Sequence, residues 1–135
     1  MGFLIDTSVL IAAERERFSL ADLIRNLAGE PLVLAAITAS ELLHGIHRAI
    51  EPNVAEKRSR FVEYILDLFP VLPFDLETAR VHAELWVALQ RGGQVIGAHD
   101  LIIAATARAA GYGLITSNSA EFQRVPGLTV INPLA

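Results

Sequence analysis

The chain has 135 residues, 53% of them hydrophobic and 19% charged, a size and balance that fit one domain with a buried core and exclude a disordered polymer. It contains no cysteine, which rules out disulfides, thiolate metal sites and a cysteine nucleophile. Asp and Glu number 15 against 11 Lys and Arg, a net charge of −4, so contact with nucleic acid cannot rest on overall charge and would need a local basic surface.

The N-terminus passes from Met1 into a short apolar run that Asp6 ends, without the long apolar region or cleavage site of a secretory signal. The longest apolar stretch, Leu101 to Ala107, is interrupted by Thr106 and is too short to span a bilayer. A cytoplasmic protein without membrane association is expected. No repeat, linker or low-complexity segment divides residues 1–135, which read as one domain.

Short runs rich in Val, Ile, Leu or Phe predict strands at Phe3–Ile5, Leu32–Ile37, Val71–Phe74, Gly113–Thr116 and Leu128–Ile131. Helical periodicity lies between them. Val54 to Phe69 puts Phe61, Val62, Ile65, Leu66 and Phe69 on one face, and Leu76 to Gln90 does the same with Leu76, Ala79, Ala83, Trp86 and Val87. Leu101 to Ala110 is apolar all round and suits burial on two sides, as core, interface or both. Short strands alternating with helices predict an α/β fold whose largely parallel sheet is covered on both faces. Functional groups in such sheets collect beyond the carboxyl ends of the strands, at a switch in strand order.

Three acids sit at helix starts, at least two of them at such a sheet edge, each with a structural alternative. Asp6 follows the first strand and opens a helix, so it reads either as an N-cap or, with Thr7 and Ser8 available to cap, as a carboxylate aimed across the sheet end. Glu41 completes Thr38-Ala39-Ser40-Glu41, a capping-box pattern. Asp100 heads a stripe with Ile103, Ala104 and Ala107, where it either complements the helix dipole or must be paired or metal-bound. If the three converge, each like-charge pair costs on the order of 4 kcal/mol at a surface-like dielectric. No neighbouring Lys or Arg is placed in sequence to neutralise them, whereas a divalent cation would.

With these residues in hand, the sequence resembles the PIN-domain endoribonucleases, and among them the VapC-type toxins of bacterial toxin–antitoxin modules. The resemblance lies in Leu-Ile-Asp-Thr-Ser-Val-Leu-Ile (4–11), Ile-Thr-Ala-Ser-Glu-Leu-Leu-His-Gly (37–45), Ile-Gly-Ala-His-Asp-Leu-Ile-Ile-Ala-Ala-Thr-Ala (96–107) and the segment 114–128 that begins Leu-Ile-Thr-Ser-Asn-Ser-Ala-Glu-Phe. It implies a three-layer α/β/α fold with a short, mainly parallel, twisted sheet. It also implies metal ligation by Asp6 and Asp100, with Glu41 binding directly or through water, and a supporting role for Thr116. Where many members carry a fourth Asp this chain has Ser119, and Asn118 or Glu121 is the candidate replacement. Implied further are Mg²⁺, or Mn²⁺ in its place, a homodimer, and a cognate antitoxin, which would form a hetero-oligomer with the toxin and be its only route to operator DNA. The expected reaction is hydrolysis of RNA phosphodiesters by metal-activated water, leaving 5′-phosphate and 3′-hydroxyl ends and inhibiting translation or growth.

Other readings fit less well. His44 and His47, at i and i+3, lack the further partners that structural zinc requires. His99, beside Asp100, is in reach of a substrate without being required. Arg48, Lys57, Arg58 and Arg60 form either a solvated face or an RNA track. A phosphoacceptor receiver domain needs a lysine near its last strand, yet Lys57 stands alone in a central helix; a haloacid-dehalogenase phosphatase needs Asp where Ser8 stands. The alternative that remains is a catalytically silent PIN-like module that binds RNA or an antitoxin.

Overall fold

The computed structural model describes residues 1–134. Its elements run β1 (Phe3–Ile5), α1 (Thr7–Glu14), α2 (Leu20–Asn26), β2 (Leu32–Ala35), α3 (Ala36–Arg48), α4 (Pro52–Leu68), β3 (Val71–Leu72), α5 (Leu76–Arg91), α6 (Ala98–Ala110), β4 (Gly113–Ile115), α7 (Ser119–Phe122) and β5 (Val130–Ile131). The strands form one sheet in the order β3-β2-β1-β4-β5, and all four pairings are parallel.

Side chains alternate across a strand, and in β1, β2 and β4 both faces are buried, which is why these strands read as continuous apolar runs. Leu4, Val33, Ala35 and Leu114 point into a core shared with Leu85 and Leu89 of α5 and with Leu101, Ile103 and Ala104 of α6. Phe3, Ile5, Leu34 and Ile115 point to the other side, against Val9 and Leu10 of α1, Leu42 of α3 and Val62 and Ile65 of α4. The result is the expected three-layer α/β/α arrangement.

Most strands are shorter than the apolar runs suggested, for local reasons. α3 starts at Ala36, directly after β2, so Ile37 is helical; an apolar run alone cannot mark that boundary. β3 stops at Leu72, before Pro73, which has no N–H to give a ladder. α4 begins earlier than predicted because Pro52 fits the first turn of a helix. The face predicted for α5 is wrong. Thr78, Leu85 and Leu89 are buried, whereas Leu76 is 68% and Trp86 50% exposed. Two apolar stripes compete on this helix, and α6 packs against the one carrying Leu85 and Leu89. α6 is buried along most of its length, as its all-round apolar character suggested, and ends at Gly111, whose φ of 73° permits the left-handed turn into β4.

The short helix α7 is pinned by Phe122, which is fully buried in the α5–α6 core. Phe122→Ala is expected to cost about 3–5 kcal/mol of stability by urea unfolding; a cost under about 1 kcal/mol would mean that the α7 loop is not anchored through this ring.

Candidate active site

The sheet order switches at β1: β2 lies on one side of it and β4 on the other. Side chains just beyond the carboxyl ends of these strands therefore meet in one crevice. Asp6 follows β1, its N–H donating to the carbonyl of Ile115 at 2.8 Å, and it is only 4% exposed. It occupies the N-cap position of α1 but makes no side-chain capping bond, so the capping alternative is not realised. Its Oδ2 instead accepts from Ser8 Oγ at 2.7 Å and from Thr116 Oγ1 at 2.8 Å. Ser8 and Thr116 are held in turn, each accepting a loop N–H, from Ser117 at 3.2 Å and from Asn118 at 2.9 Å respectively. Burial raises the Asp6 pKa above the ordinary value, against the opposing hydroxyl bonds, and the charge of Glu41 pushes it the same way.

Glu41 lies within α3, and so does Thr38; a helix that begins at Ala36 leaves no capping box at Thr38–Glu41. The carboxylate instead reaches across to α1. Its Oε1 accepts from Thr7 Oγ1 at 2.8 Å, and Thr7 also lies 3.1 Å from the Thr38 hydroxyl. Its other oxygen is 3.4 Å from His99 Nδ1.

Asp100 sits in the first turn of α6, on the stripe that buries Ile103, Ala104 and Ala107. Its pKa is pushed up to about 7, chiefly by burial, then by a hydrogen bond with Glu121 and by the charges of Glu121, Asp6 and Glu41. Glu121 moves the opposite way. Its Oε1 accepts from the Gly97 N–H at 2.9 Å and its Oε2 from Asn118 Nδ2 at 2.8 Å; the Gly97 bond leads in holding its pKa below the usual range. The pair is thus polarised, Asp100 toward the protonated form and Glu121 toward the carboxylate.

Four acids thus gather at one sheet edge. Among the described residues, no Lys or Arg forms an ion pair with Asp6, Glu41 or Asp100. Asn118 braces Glu121, and Thr116 braces Asp6. Among the described residues, no three Asp, Glu or His side chains converge as a closed metal cage, and His44 and His47 form no zinc cluster. A hard cation such as Mg²⁺ needs only one or two carboxylates plus water and substrate oxygens, and the donor set fits it: carboxylate oxygens, partly buried, with pKa values raised by burial and by neighbouring acids. Asp6 and Asp100 are the residues that could hold it, with Glu41 and Glu121 on either side.

Sequence reasoning missed the parts played by Thr7, Ser8 and Gly97. The available signal was Asp-Thr-Ser at positions 6–8, three oxygen-bearing side chains where a helix start needs one.

The model of the PIN domain family matches residues 3–128. The chain is 38% identical to ribonuclease VapC1 of Rickettsia felis over 131 residues, spanning 97% of this chain and 96% of that protein. It is 30% identical to the tRNA(fMet)-specific endonuclease VapC of Shigella flexneri, with 95% of each covered. Among solved structures it superimposes on VapBC-1 from nontypeable Haemophilus influenzae with a TM-score of 0.88 at 27% identity, over 100% of both chains. A VapBC2 structure from Rickettsia felis, bound to a promoter DNA fragment, shares the fold with a TM-score of 0.89 at 24% identity, covering 98% of each chain. With its acids gathered at the carboxyl edge of a parallel sheet, the chain belongs to the PIN-domain family, as a member of VapC type.

Proposed function

We propose that this protein is an endoribonuclease toxin that hydrolyses RNA phosphodiesters with the help of Mg²⁺ or Mn²⁺. The observation that carries the reading is the gathering of buried Asp6 with Asp100 and Glu41 at one sheet edge where, among the described residues, no Lys or Arg forms an ion pair with them. The relatives' names, ribonuclease and tRNA-specific endonuclease, support RNA as the substrate class. A divalent cation at Asp6 and Asp100 would supply Lewis acidity and lower the pKa of water for attack on phosphorus.

The chain's own residues prepare that chemistry. Ser8 and Thr116 fix the Asp6 carboxylate, so little reorganisation is left for the reaction. Thr7 orients one oxygen of Glu41 and leaves the other facing His99 and the crevice. Glu121, tied to Gly97 at the start of α6, holds Asp100 in place and shares its proton. An antitoxin partner follows from the VapBC complexes among the structural relatives, some of them DNA-bound. In the same reading the toxin is a homodimer that joins the antitoxin in a hetero-oligomer and meets operator DNA only through it. Release of the toxin would inhibit translation or growth.

Asp6→Asn and Asp100→Asn should each slow cleavage of total RNA by roughly 10²-fold or more, the scale of losing transition-state charge stabilisation, with circular dichroism unchanged. Wild-type rates in a folded variant would remove that residue from the site.

The raised pKa of Asp100 also makes a stability prediction. The folded protein holds its proton up to about pH 7, the unfolded chain only to about 3.8. The stabilising contribution is complete below the unfolded value and is lost as pH rises through the folded one. Without divalent cations, Tm should therefore fall between about pH 4 and pH 7, and Asp100→Asn should flatten the fall. Mg²⁺ should raise Tm more at the upper pH than at the lower, because the carboxylate must be ionised to bind. A Tm independent of pH over that window would contradict the buried-acid description.

A further inference from the structure

A groove of about 280 Å³ leads away from the carboxylate edge between α1 and α3. Thr7 and Glu41 line its inner end, joined by their hydrogen bond. Glu41, His44 and Arg48 are spaced i, i+3 and i+7, so one face of α3 carries an acid at the crevice and a guanidinium about 10 Å further along the helix axis. Arg15 lines the groove from α1, at the residue that ends the helix; Glu16 follows it with φ at 59°, a left-handed turn that fixes where the helix stops.

The arginines at this groove are not equivalent. Arg58 donates to the Gly45 carbonyl at 2.9 Å and lies 3.4 Å from Glu14, so its charge is spent holding α4 against α3 and α1. Arg60 pairs with Glu56 and, like Lys57, does not line the groove. Arg15 and Arg48 are exposed and, among the described residues, have no ion-pair partner. Two unpaired guanidinium groups thus flank one channel of a protein whose net charge is −4. Their planar donor forks match phosphate oxygens.

We propose that this groove is the track for single-stranded RNA, with Arg15 and Arg48 each holding a backbone phosphate on the Glu41 side of the cleaved bond. The proposal rests on the ribonuclease reading of the carboxylate edge and adds where the strand lies. It resolves how an acidic protein holds a polyanion: two placed charges, rather than the overall field, supply the contact.

The test uses the Asp6→Asn protein, in which cleavage is expected to be slowed, in EDTA, and a fluorescein-labelled single-stranded RNA of mixed sequence, with binding followed by fluorescence anisotropy across a salt series. Arg15→Ala and Arg48→Ala should each lower the slope of log affinity against log salt by about 0.7, and the double variant by about 1.4. Arg15→Lys should keep the slope, and Arg60→Gln should change nothing. If the double variant binds with the parent's affinity and slope, the groove is not the track, and cleavage by wild-type protein would leave the ribonuclease reading standing. A weaker affinity with an unchanged slope likewise overturns the proposal, since no phosphate contact was lost. If the double variant loses binding to a polyglutamate peptide while keeping its RNA slope, the groove belongs to an acidic protein partner instead. If the parent binds no RNA and the wild type cuts none, both readings fall together.

Discussion

Asp6 follows the central strand of the sheet at 4% exposure, and three further carboxyl groups stand around the same crevice; among the described residues no lysine or arginine is paired to Asp6, Glu41 or Asp100. Burying an acid without a counter-charge is unfavourable, and the protein meets that cost in two ways: hydroxyl and backbone donors surround the carboxylates, and Asp100 keeps its proton up to about pH 7. Neither measure neutralises the site. The divalent cation proposed for Asp6 and Asp100 would do so, and the hydroxyl and backbone donors already hold the acids still.

The fold supplies that rigidity. β1 lies between β2 and β4, so three consecutive strand ends deliver α1, α3 and the Thr116–Asn118 loop to one place. α6 reaches the crevice from the neighbouring layer, its first turn tethered to Glu121 through Gly97 and its body buried against the sheet. Phe122 roots the Glu121 loop in the same core. Each acid is thus carried on an element fixed by apolar packing, which suits a site that must keep like charges close.

Much of this was legible in the sequence, for identifiable reasons. Short apolar runs placed all five strands: β1, β2 and β4 are buried on both faces, the edge strands β3 and β5 only in part, and helix starts and Pro73 set several of their ends. Asp6, Glu41 and Asp100 stood out through their places at helix starts and sheet ends and through the resemblance to the PIN-domain family; locally each passed for a helix cap or a first-turn acid. The structure removes the capping alternatives for Asp6 and Glu41, because the first makes no capping bond and the second lies inside its helix. For the fourth position the sequence left Asn118 and Glu121 open, and the geometry sets Glu121 against Asp100 with Asn118 bracing it. Trp86 was placed on the wrong face because α5 carries two apolar stripes and only tertiary packing chooses between them. Arg15 gave no signal at all, since its place beside α3 exists only in the folded chain.

The most direct test of the charge balance at this edge is calorimetric titration of the metal-free protein with Mg²⁺ and Mn²⁺ in buffers of different ionisation enthalpy, near pH 6.5. The account predicts binding that releases a proton from Asp100 as the carboxylate is taken up, with that release absent in Asp100→Asn. Absence of cation binding by the folded protein, or binding with no proton released, would contradict it.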